Sequence, residues 1–309
     1  MEAVVVHPKE LAPARIEQWD EIRRANPSLA SPFLSAGFAR AVGAVRDDAR
    51  VALLPDAFFA FQSQGDGAGI PIGATVCDAQ AVIAARDFTF DACELVHACG
   101  MSSWTFDHLI SDQLPFVPFH ASTHAAPVID MSSGHDAYLG AVRAQSRDVL
   151  TQVARRRRKL EREVGPVTCQ WNSTKPSDLT TLLSWKSAQY ARTGEWDRFE
   201  QPWIEQLVRS LAESHDDLEL DGVLTTLHAG DRLVAAHFGL RSGRRLAWWF
   251  PTYDPEFGRY SPGLALLLDL TTLACDRGID VIDLGRGEHS YKLRVANGTD
   301  HVAQGIVHT

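Results

Sequence analysis

Residues 253–270 read YDPEFGRYSPGLALLLDL, and this stretch decides the fold of the second half of the chain. Ser261 is a good N-cap, Pro262 suits the first helical position, and Gly278 suits the position just after a helix. Leucines lie on nearly every side of the helix between them, which predicts that it is buried. Apolar strands are predicted before it and after it, at 279–284. This order indicates an α/β unit with its site at the strand ends.

Working outward, hydrophobic patterns predict the other elements of the chain. In the second half, helices are expected at 179–192 and 202–213, and strands at 220–228, 232–241 and 244–253. The first half is predicted to be β-rich, with a helix around 16–23 and strands at 49–54, 58–64 and 72–77. Together the patterns predict an α/β (α+β) fold with a mixed, helix-flanked sheet in each half.

A long helix is predicted from 136 to 164, ending at Gly165-Pro166, and we place the domain boundary there. The expected domains are therefore 1–160 and 165–309. Residues 143–163 carry eight basic and three acidic side chains. A solvated helix face explains such a run. The alternative is an anion site, because Arg155, Arg158 or Lys159, and Arg162 share one stripe.

The start of the Pro262 helix is a candidate phosphate site. Free backbone N–H groups and the positive end of the helix dipole attract anions at such a junction. Gly263 permits close approach of a ligand, and Arg259 is placed to contact a phosphate. The competing interpretation is a well-capped core helix.

Several motifs together carry a resemblance to a known family. YDPEFGRYSPGLALLLDL, GIDVIDLGRGEHSYK (278–292), WTFDHLI (104–110) and APVIDMSSGHDAYLGAVRAQSRDVL (126–150) resemble the GNAT acyltransferase superfamily. Within it, they are similar to the cellulose-biosynthesis (CelD/BcsL) type, which is related to the FemAB aminoacyltransferases. The resemblance implies tandem GNAT-like halves, the second of which holds acyl-CoA between two strands that splay apart. It places the CoA pyrophosphate on the loop before the central helix, at Gly258, Arg259, Tyr260, Ser261, Gly263 and Leu264.

The implied chemistry is attack by an amine on a thioester, which needs a base, oxyanion donors and an acid near the thiolate. His237 is the first candidate base by residue type, although a histidine in an apolar strand is more often a core residue. Glu288 is the second candidate base, and Tyr291 is placed to protonate the thiolate or to pack against the helix. The candidate substrate-binding residues are Tyr253, Asp254, Asp283, Arg286, His289 and Lys292. We expect Asp283 to pair with Arg286 or Lys292.

Composition limits the remaining possibilities. The 309 residues carry a net charge of -9, which argues against nucleic acid as a partner. His120 and His124 lack the glutamate of a zincin, so no metal is expected. Five scattered cysteines and no readable signal peptide suggest a cytoplasmic protein. Association with the membrane or with an envelope-assembly partner stays open.

The predicted function is acyl-CoA-dependent N-acylation of an amine. The acceptor is expected to be an amino sugar of an envelope polysaccharide or the amine of a lipid precursor. Two alternatives remain: a FemAB-like transferase that uses aminoacyl-tRNA, and a GNAT-shaped binding module without turnover. The only basic surface that could serve tRNA is the stripe from Arg155 to Arg162.

Overall fold

The computed structural model describes residues 1–213 and 219–309, which divide into two compact units. The first unit contains Met1–Ala126, Asp300–Thr309 and a short segment ending at Leu220. The second unit contains the rest of the chain, from Pro127 to Thr299. Each unit has its own helices and its own hydrophobic core.

The first unit is β-rich, as predicted. Its helices are α1 Pro13–Ala25, α2 Ala36–Val45 and α3 Ala92–Ala98. Its strands are β1 Val4–Val6, β2 Ala49–Leu53, β3 Ala57–Ser63, β4 Ala68–Pro71, β5 Val82–Ala84, β6 Ser103–Ile110 and most of β7 His120–Asp130 and of β14 Gly298–His308. Alternate residues of β3 and β6 bury aromatic side chains, and Phe59 packs edge-on against Trp104 at 4.9 Å. The strand predicted at 72–77 is replaced by β4, which lies earlier in the chain.

The second unit carries the long apolar helix that the sequence predicts. Its helices are α4 His135–Gln145, α5 Val149–Glu163, α6 Pro176–Thr193, α7 Pro202–Glu213, α8 Pro262–Cys275 and α9 Ser290–Val295. Its strands are β8 Val167–Gln170, β9 Asp221–Ala229, β10 Arg232–Ser242, β11 Arg245–Ala247, β12 Phe250–Tyr253 and β13 Val281–Asp283.

Strand pairing in the second unit follows the order β8, β9, β10, β11, β13 and the end of β7. β11 and β13 are parallel, and the other neighbours in this order are antiparallel. α8 lies in one core with the buried residues of α4 and α5, whereas α6 and α7 pack on β12 and β9 with separate buried residues. The mixed, helix-flanked sheet that the sequence predicts is confirmed.

The structure differs from the predicted elements in two places that affect the site. The helix predicted over 136–164 is two helices, α4 and α5, because residues 146–148 leave the helical path between them. α5 lies in the second unit, since its buried residues Val153 and Leu160 belong to that unit's core. The units therefore divide near Pro127, whereas the sequence placed the boundary at 160–165.

The second difference is a break in the strand predicted over 244–253. β11 and β12 both pair with β10, but Trp248 and Trp249 between them do not continue the ladder. Within the described residues, no helix is long and apolar enough to cross a membrane. The five cysteines are all unpaired thiols.

Candidate functional site

The break between β11 and β12 opens the sheet of the second unit. β11 pairs in parallel with β13 through Ala247 and Asp283, and the Trp248 N–H donates to the Asp283 carbonyl at 2.7 Å. Beyond that bond, β12 stays with β10. The chain after β13 stays with β7, since the Leu284 N–H donates to the carbonyl of Pro127 at 3.0 Å. The two parallel strands therefore separate at their carboxyl ends, where ligands enter α/β sheets.

The loop from β12 into α8 forms one side of this opening. Asp254 caps a short 3-10 helix over Pro255–Tyr260 by accepting a hydrogen bond from the Glu256 N–H at 3.0 Å. The ring of Tyr253, which is 39% exposed, lies over the loop, close to the α-carbons of both Gly258 and Gly263. Two of the predicted site residues, Tyr253 and Gly263, thus lie together, whereas Asp254 shapes the turn.

The start of α8 is uncapped, which differs from the predicted role of Ser261. Ser261 adopts the left-handed conformation (φ 53°, ψ 53°), and its hydroxyl makes no capping hydrogen bond. Such a conformation is costly for a residue with a Cβ atom. Among the residues that the structure describes, no acceptor serves the N–H groups of Gly263 and Leu264. These two donors sit at the positive end of a 14-residue helix.

Helix α5 packs against the loop and contributes contacts that the sequence did not predict. Arg156 donates a hydrogen bond to the Ser261 hydroxyl, which explains why that hydroxyl does not cap α8. The Tyr260 hydroxyl donates to Glu163 at 2.6 Å, and the Lys159 ammonium lies 6.0 Å from the centroid of the Tyr260 ring. The basic stripe and the predicted phosphate loop are therefore neighbours within one surface.

Arg259 is exposed on the outer edge of this loop. Its guanidinium lies 4.7 Å from the centroid of the Tyr260 ring and 3.5 Å from the Glu163 carboxylate, and its side chain is 67% exposed. The hydrogen bond from Tyr260 is the main cause that holds the pKa of Glu163 below its usual value. The same tyrosine hydroxyl is the main cause that raises the pKa of Arg259. Although these contacts hold the guanidinium, the exposure of the side chain leaves it accessible to an anion at the loop.

The loop after β13 is held by two charged side chains. The Asp283 carboxylate accepts from Arg245 at 2.9 Å and from the Gly285 N–H at 2.9 Å. Its partner is thus Arg245, from the neighbouring strand, and the predicted pairing with Arg286 or Lys292 is wrong. Lys292 is 6% exposed, and its ammonium donates to the carbonyls of Gly285 and Arg286, each at 3.0 Å. Both residues fix the path of the loop.

Two candidates for proton transfer, Glu288 and Tyr291, follow this loop together with His289, a candidate substrate-binding residue. Glu288 and His289 are exposed. Tyr291 is half-buried, with its ring 6.3 Å from that of His289. Burial raises the pKa of the Tyr291 hydroxyl, an effect partly opposed by the Trp248 indole. Tyr291 therefore keeps its proton at neutral pH.

His237 lies in the core of the second unit. It is 0% exposed, its ring stacks on Trp248 at 4.1 Å, and its Nε2 is 3.2 Å from the Ala247 carbonyl oxygen. Burial lowers its pKa to about 3, so the ring is neutral at physiological pH. Enclosure in the core and a lowered pKa both disfavour His237 as the base that takes a proton from an ammonium group. The structure assigns His237 to the support of the β11–β12 break instead.

The contacts that sequence reasoning missed come from residues far apart in the chain. Arg156, Glu163 and Arg245 lack a local motif and acquire their roles only through α5 and the β10–β11 hairpin. The run of basic residues in α5 was the one feature of the sequence that pointed to the contacts α5 makes with the loop.

The residues that form this geometry match a known protein family. The family described as "Acetyltransferase (GNAT) domain" matches residues 147–293, which span α5, the separating strands, α8 and the loop after β13. Residues 147–293 form a GNAT domain. The predicted membership of the GNAT superfamily is confirmed. No curated protein matches the chain in sequence.

Solved structures extend the likeness to nearly the whole chain. A structure of FemX is 11% identical with a TM-score of 0.60, over 99% of this chain and 96% of that one. A tandem GNAT protein from the clavulanic acid biosynthesis pathway is 9% identical with a TM-score of 0.53, over 99% and 98%. The C-terminal domain of a putative lysylphosphatidylglycerol synthetase from Agrobacterium fabrum is 11% identical with a TM-score of 0.56, over 94% and 90%. At these identities the likenesses show a shared fold alone.

Proposed function

We propose that this GNAT protein transfers an acyl group from a CoA thioester to an amine. The observation that carries the proposal is the uncapped start of α8 beside the opening between β12 and β13. Gly263 and Leu264 offer two free N–H donors at the positive end of the helix, which suit the CoA pyrophosphate. The opening beside them suits the pantetheine arm, which is narrow and needs hydrogen bonds from strand edges.

Transfer requires one new bond, one broken bond and two proton movements. The amine nitrogen attacks the thioester carbonyl, and the C–S bond breaks as the tetrahedral intermediate collapses. Glu288, exposed after β13, is the proposed acceptor of the proton that the amine loses. Tyr291, protonated because burial raises its pKa, is the proposed donor to the departing thiolate. His237 is a positioning residue beneath Trp248.

The remaining predicted residues take supporting roles in this proposal. Arg286 and His289 lie on the loop beside Glu288, where they are placed to contact the acceptor, whereas Asp283 and Lys292 hold that loop. The acceptor that we propose is an amino sugar of an envelope polysaccharide or the amine of a lipid precursor, with the cytoplasm as the site of reaction. The assignment to the cellulose-biosynthesis type within the superfamily stays a prediction.

Use of aminoacyl-tRNA is the second candidate function, because this chain shares its fold with FemX and has a basic α5. The net charge of -9 argues against it, since tRNA binding needs a broad basic surface. Calorimetric titration with CoA and with a bulk tRNA preparation separates the two. Binding of CoA without binding of tRNA supports the proposal, whereas the reverse result replaces it.

Turnover variants test the assigned proton donor and acceptor. With acetyl-CoA and a panel of amino sugars, Glu288→Gln is expected to lower kcat by about 10² to 10⁴ without changing CoA affinity. Tyr291→Phe removes only the hydroxyl and should lower kcat while leaving the fold intact. His237→Phe keeps a ring against Trp248 and should retain most of the turnover. If His237→Phe abolishes kcat and Glu288→Gln does not, the base is His237 and our assignment is wrong.

Arg259→Ala tests the outer edge of the phosphate loop. Because the Arg259 side chain is 67% exposed, we expect a loss of about two- to tenfold in CoA affinity, less than for a buried contact. Lys9→Ala, an exposed cation of the first unit, is the matched control. An unchanged affinity in Arg259→Ala would exclude this side chain from the site.

A further inference from the structure

The exposed face of α5 carries a row of cations that the proposed transfer does not use. Arg155, Lys159 and Arg162 lie at i, i+4 and i+7 and therefore share one face of the helix. Arg155 and Arg162 are exposed, and no carboxylate lies within ion-pair distance of either among the residues that the structure describes. Lys159 is 50% exposed and lies 3.8 Å from Glu163.

This row borders the phosphate loop. On the helical wheel, Lys159 follows Arg156 and Glu163, which touch Ser261 and Tyr260, and Arg155 and Arg162 come next. Like charges at this spacing repel one another and weaken an isolated helix. An anion beside the row would relieve that repulsion, and the loop next to it is the proposed pyrophosphate site.

We infer that Arg155, Lys159 and Arg162 form a second phosphate subsite, which binds the 3′-phosphate on the ribose of CoA. The inference rests on the proposed function, since it takes the pyrophosphate to be bound at Gly263 and Leu264. In CoA the 3′-phosphomonoester is attached to the same ribose as the pyrophosphate, so a row beside the loop lies within reach. The 3′-phosphate carries nearly two negative charges at neutral pH, which suits binding by guanidinium groups.

The cation row favours a compact ligand over RNA. It lies on a single helix of a chain with a net charge of -9, whereas sequence-independent binding of RNA uses many phosphate contacts over a broad surface. Three cations beside one donor-rich loop match a ligand that carries a pyrophosphate and a separate phosphomonoester, as CoA does.

Removal of the 3′-phosphate tests the subsite directly. CoA and dephospho-CoA are titrated calorimetrically into the wild-type chain and into Arg155→Ala/Arg162→Ala. We expect the wild type to prefer CoA by about tenfold at low salt, and the double variant to bind both ligands with the affinity that the wild type has for dephospho-CoA. Arg192→Ala, an exposed cation near the end of α6, is the control and should keep the preference.

The outcomes separate this inference from the proposed function. If the wild type binds CoA and dephospho-CoA equally, the subsite is refuted while acyl-CoA use stands. If the wild type binds neither ligand, the proposed function is refuted, and the subsite inference that rests on it is refuted as well. If the double variant keeps the wild-type preference, the 3′-phosphate lies elsewhere. If tRNA binds the wild type in a salt-dependent manner and the double variant loses that binding, the row serves RNA and the inference is overturned.

Discussion

Two helices of this protein begin with nearly the same residues and use them in opposite ways. α2, in the first unit, follows Ser35 in the sequence Ser35-Ala36-Gly37, and α8, in the second unit, follows Ser261 in Ser261-Pro262-Gly263. The hydroxyl of Ser35 accepts from the Phe38 N–H at 3.0 Å and donates to the Pro32 carbonyl at 2.8 Å, and the residue is 0% exposed. Ser35 thus satisfies its helix from within the protein.

Ser261 leaves the first turn of its helix unsatisfied. Its left-handed backbone turns the hydroxyl away from α8 and toward Arg156. The first turn of α8 therefore keeps donors for a ligand, and the protein bears the cost of a strained residue. A serine before a helix therefore leaves the first N–H groups unsatisfied only where its side chain is bonded to another partner, as Ser261 is to Arg156.

Gly263→Val is the substitution that should affect the proposed binding site at the start of α8 most. A branched side chain beside the free N–H groups blocks close approach of a phosphate, and we expect CoA binding to weaken by about 1.5–3 kcal/mol. A Cβ atom at Gly263 would meet the Tyr253 ring at 3.5 Å, an ordinary contact, so the fold should tolerate the change. Calorimetric titration measures the affinity and thermal unfolding checks the fold.

Gly263→Ala is the graded control, with a smaller expected loss of affinity. If Gly263→Val leaves CoA affinity unchanged, the start of α8 does not bind CoA, and in this respect it does not differ from the start of α2.

Ser35→Ala should reveal the opposite role of the α2 start. It removes a cap and leaves the buried Phe38 N–H without its acceptor, so we expect the free energy of unfolding to fall by about 1–2 kcal/mol. CoA affinity should not change. Chemical denaturation gives the first quantity and calorimetry the second; a loss of CoA binding without loss of stability would contradict the assignment.

Ser261→Gly should stabilise the protein, although it removes a side chain. Glycine adopts the left-handed conformation without the steric cost of a Cβ atom, so we expect a gain of about 0.5–1 kcal/mol in the free energy of unfolding. The equivalent change Ser35→Gly should destabilise, because Ser35 has an extended backbone and two buried hydrogen bonds. Chemical denaturation of both variants measures the sign of the change in the free energy of unfolding. If both substitutions change it in the same direction, the two serines have the same structural role.

The sequence predicts this difference only in part. The helix limits at Pro262 and Gly278 follow from local chemistry, and α7 begins where its apolar spacing predicts. An N-cap, however, was predicted for Ser261 by residue type, and the structure shows none. The reason is Arg156, which lies 105 residues away in the chain. No local pattern reports such a partner.

The same limit applies to the β11–β12 break and to Asp283. The sequence predicts residues 244–253 as one strand, and only the separate partners β10 and β13 show where the ladder stops. Asp283 was expected to pair within its own loop, but register places it opposite Ala247, two residues from Arg245. Sequence reasoning therefore predicted the loop before α8 and the loop after β13 as parts of a site, whereas the side chains that hold these loops follow only from the pairing of distant elements.

The smallest expected effect is a difference in how the two helix starts respond to acid. The α2 start is held by neutral hydrogen bonds, whereas the α8 loop is held partly by Glu163, whose pKa in the folded protein lies below its usual value of 4.5. A carboxylate with a lowered pKa contributes stability above the unfolded pKa, and that contribution is lost as the pH falls through the folded pKa.

We therefore expect hydrogen-exchange protection factors at residues 258–264 to fall by about two- to fivefold more than those at residues 36–40 between pH 6 and pH 3. Acid also weakens the whole fold. The pKa of His237 is about 3 in the folded protein and 6.5 ordinarily, so the free energy of unfolding falls as the pH drops from 6.5 toward 3. The loss caused by His237 acts through global unfolding and affects both helix starts equally. The Glu163→Gln variant isolates the effect of Glu163, because in this variant the protection factors of the two helix starts should fall by the same amount. If the wild type already shows equal responses, Glu163 does not hold the α8 loop, and the two helix starts differ only in their free N–H groups.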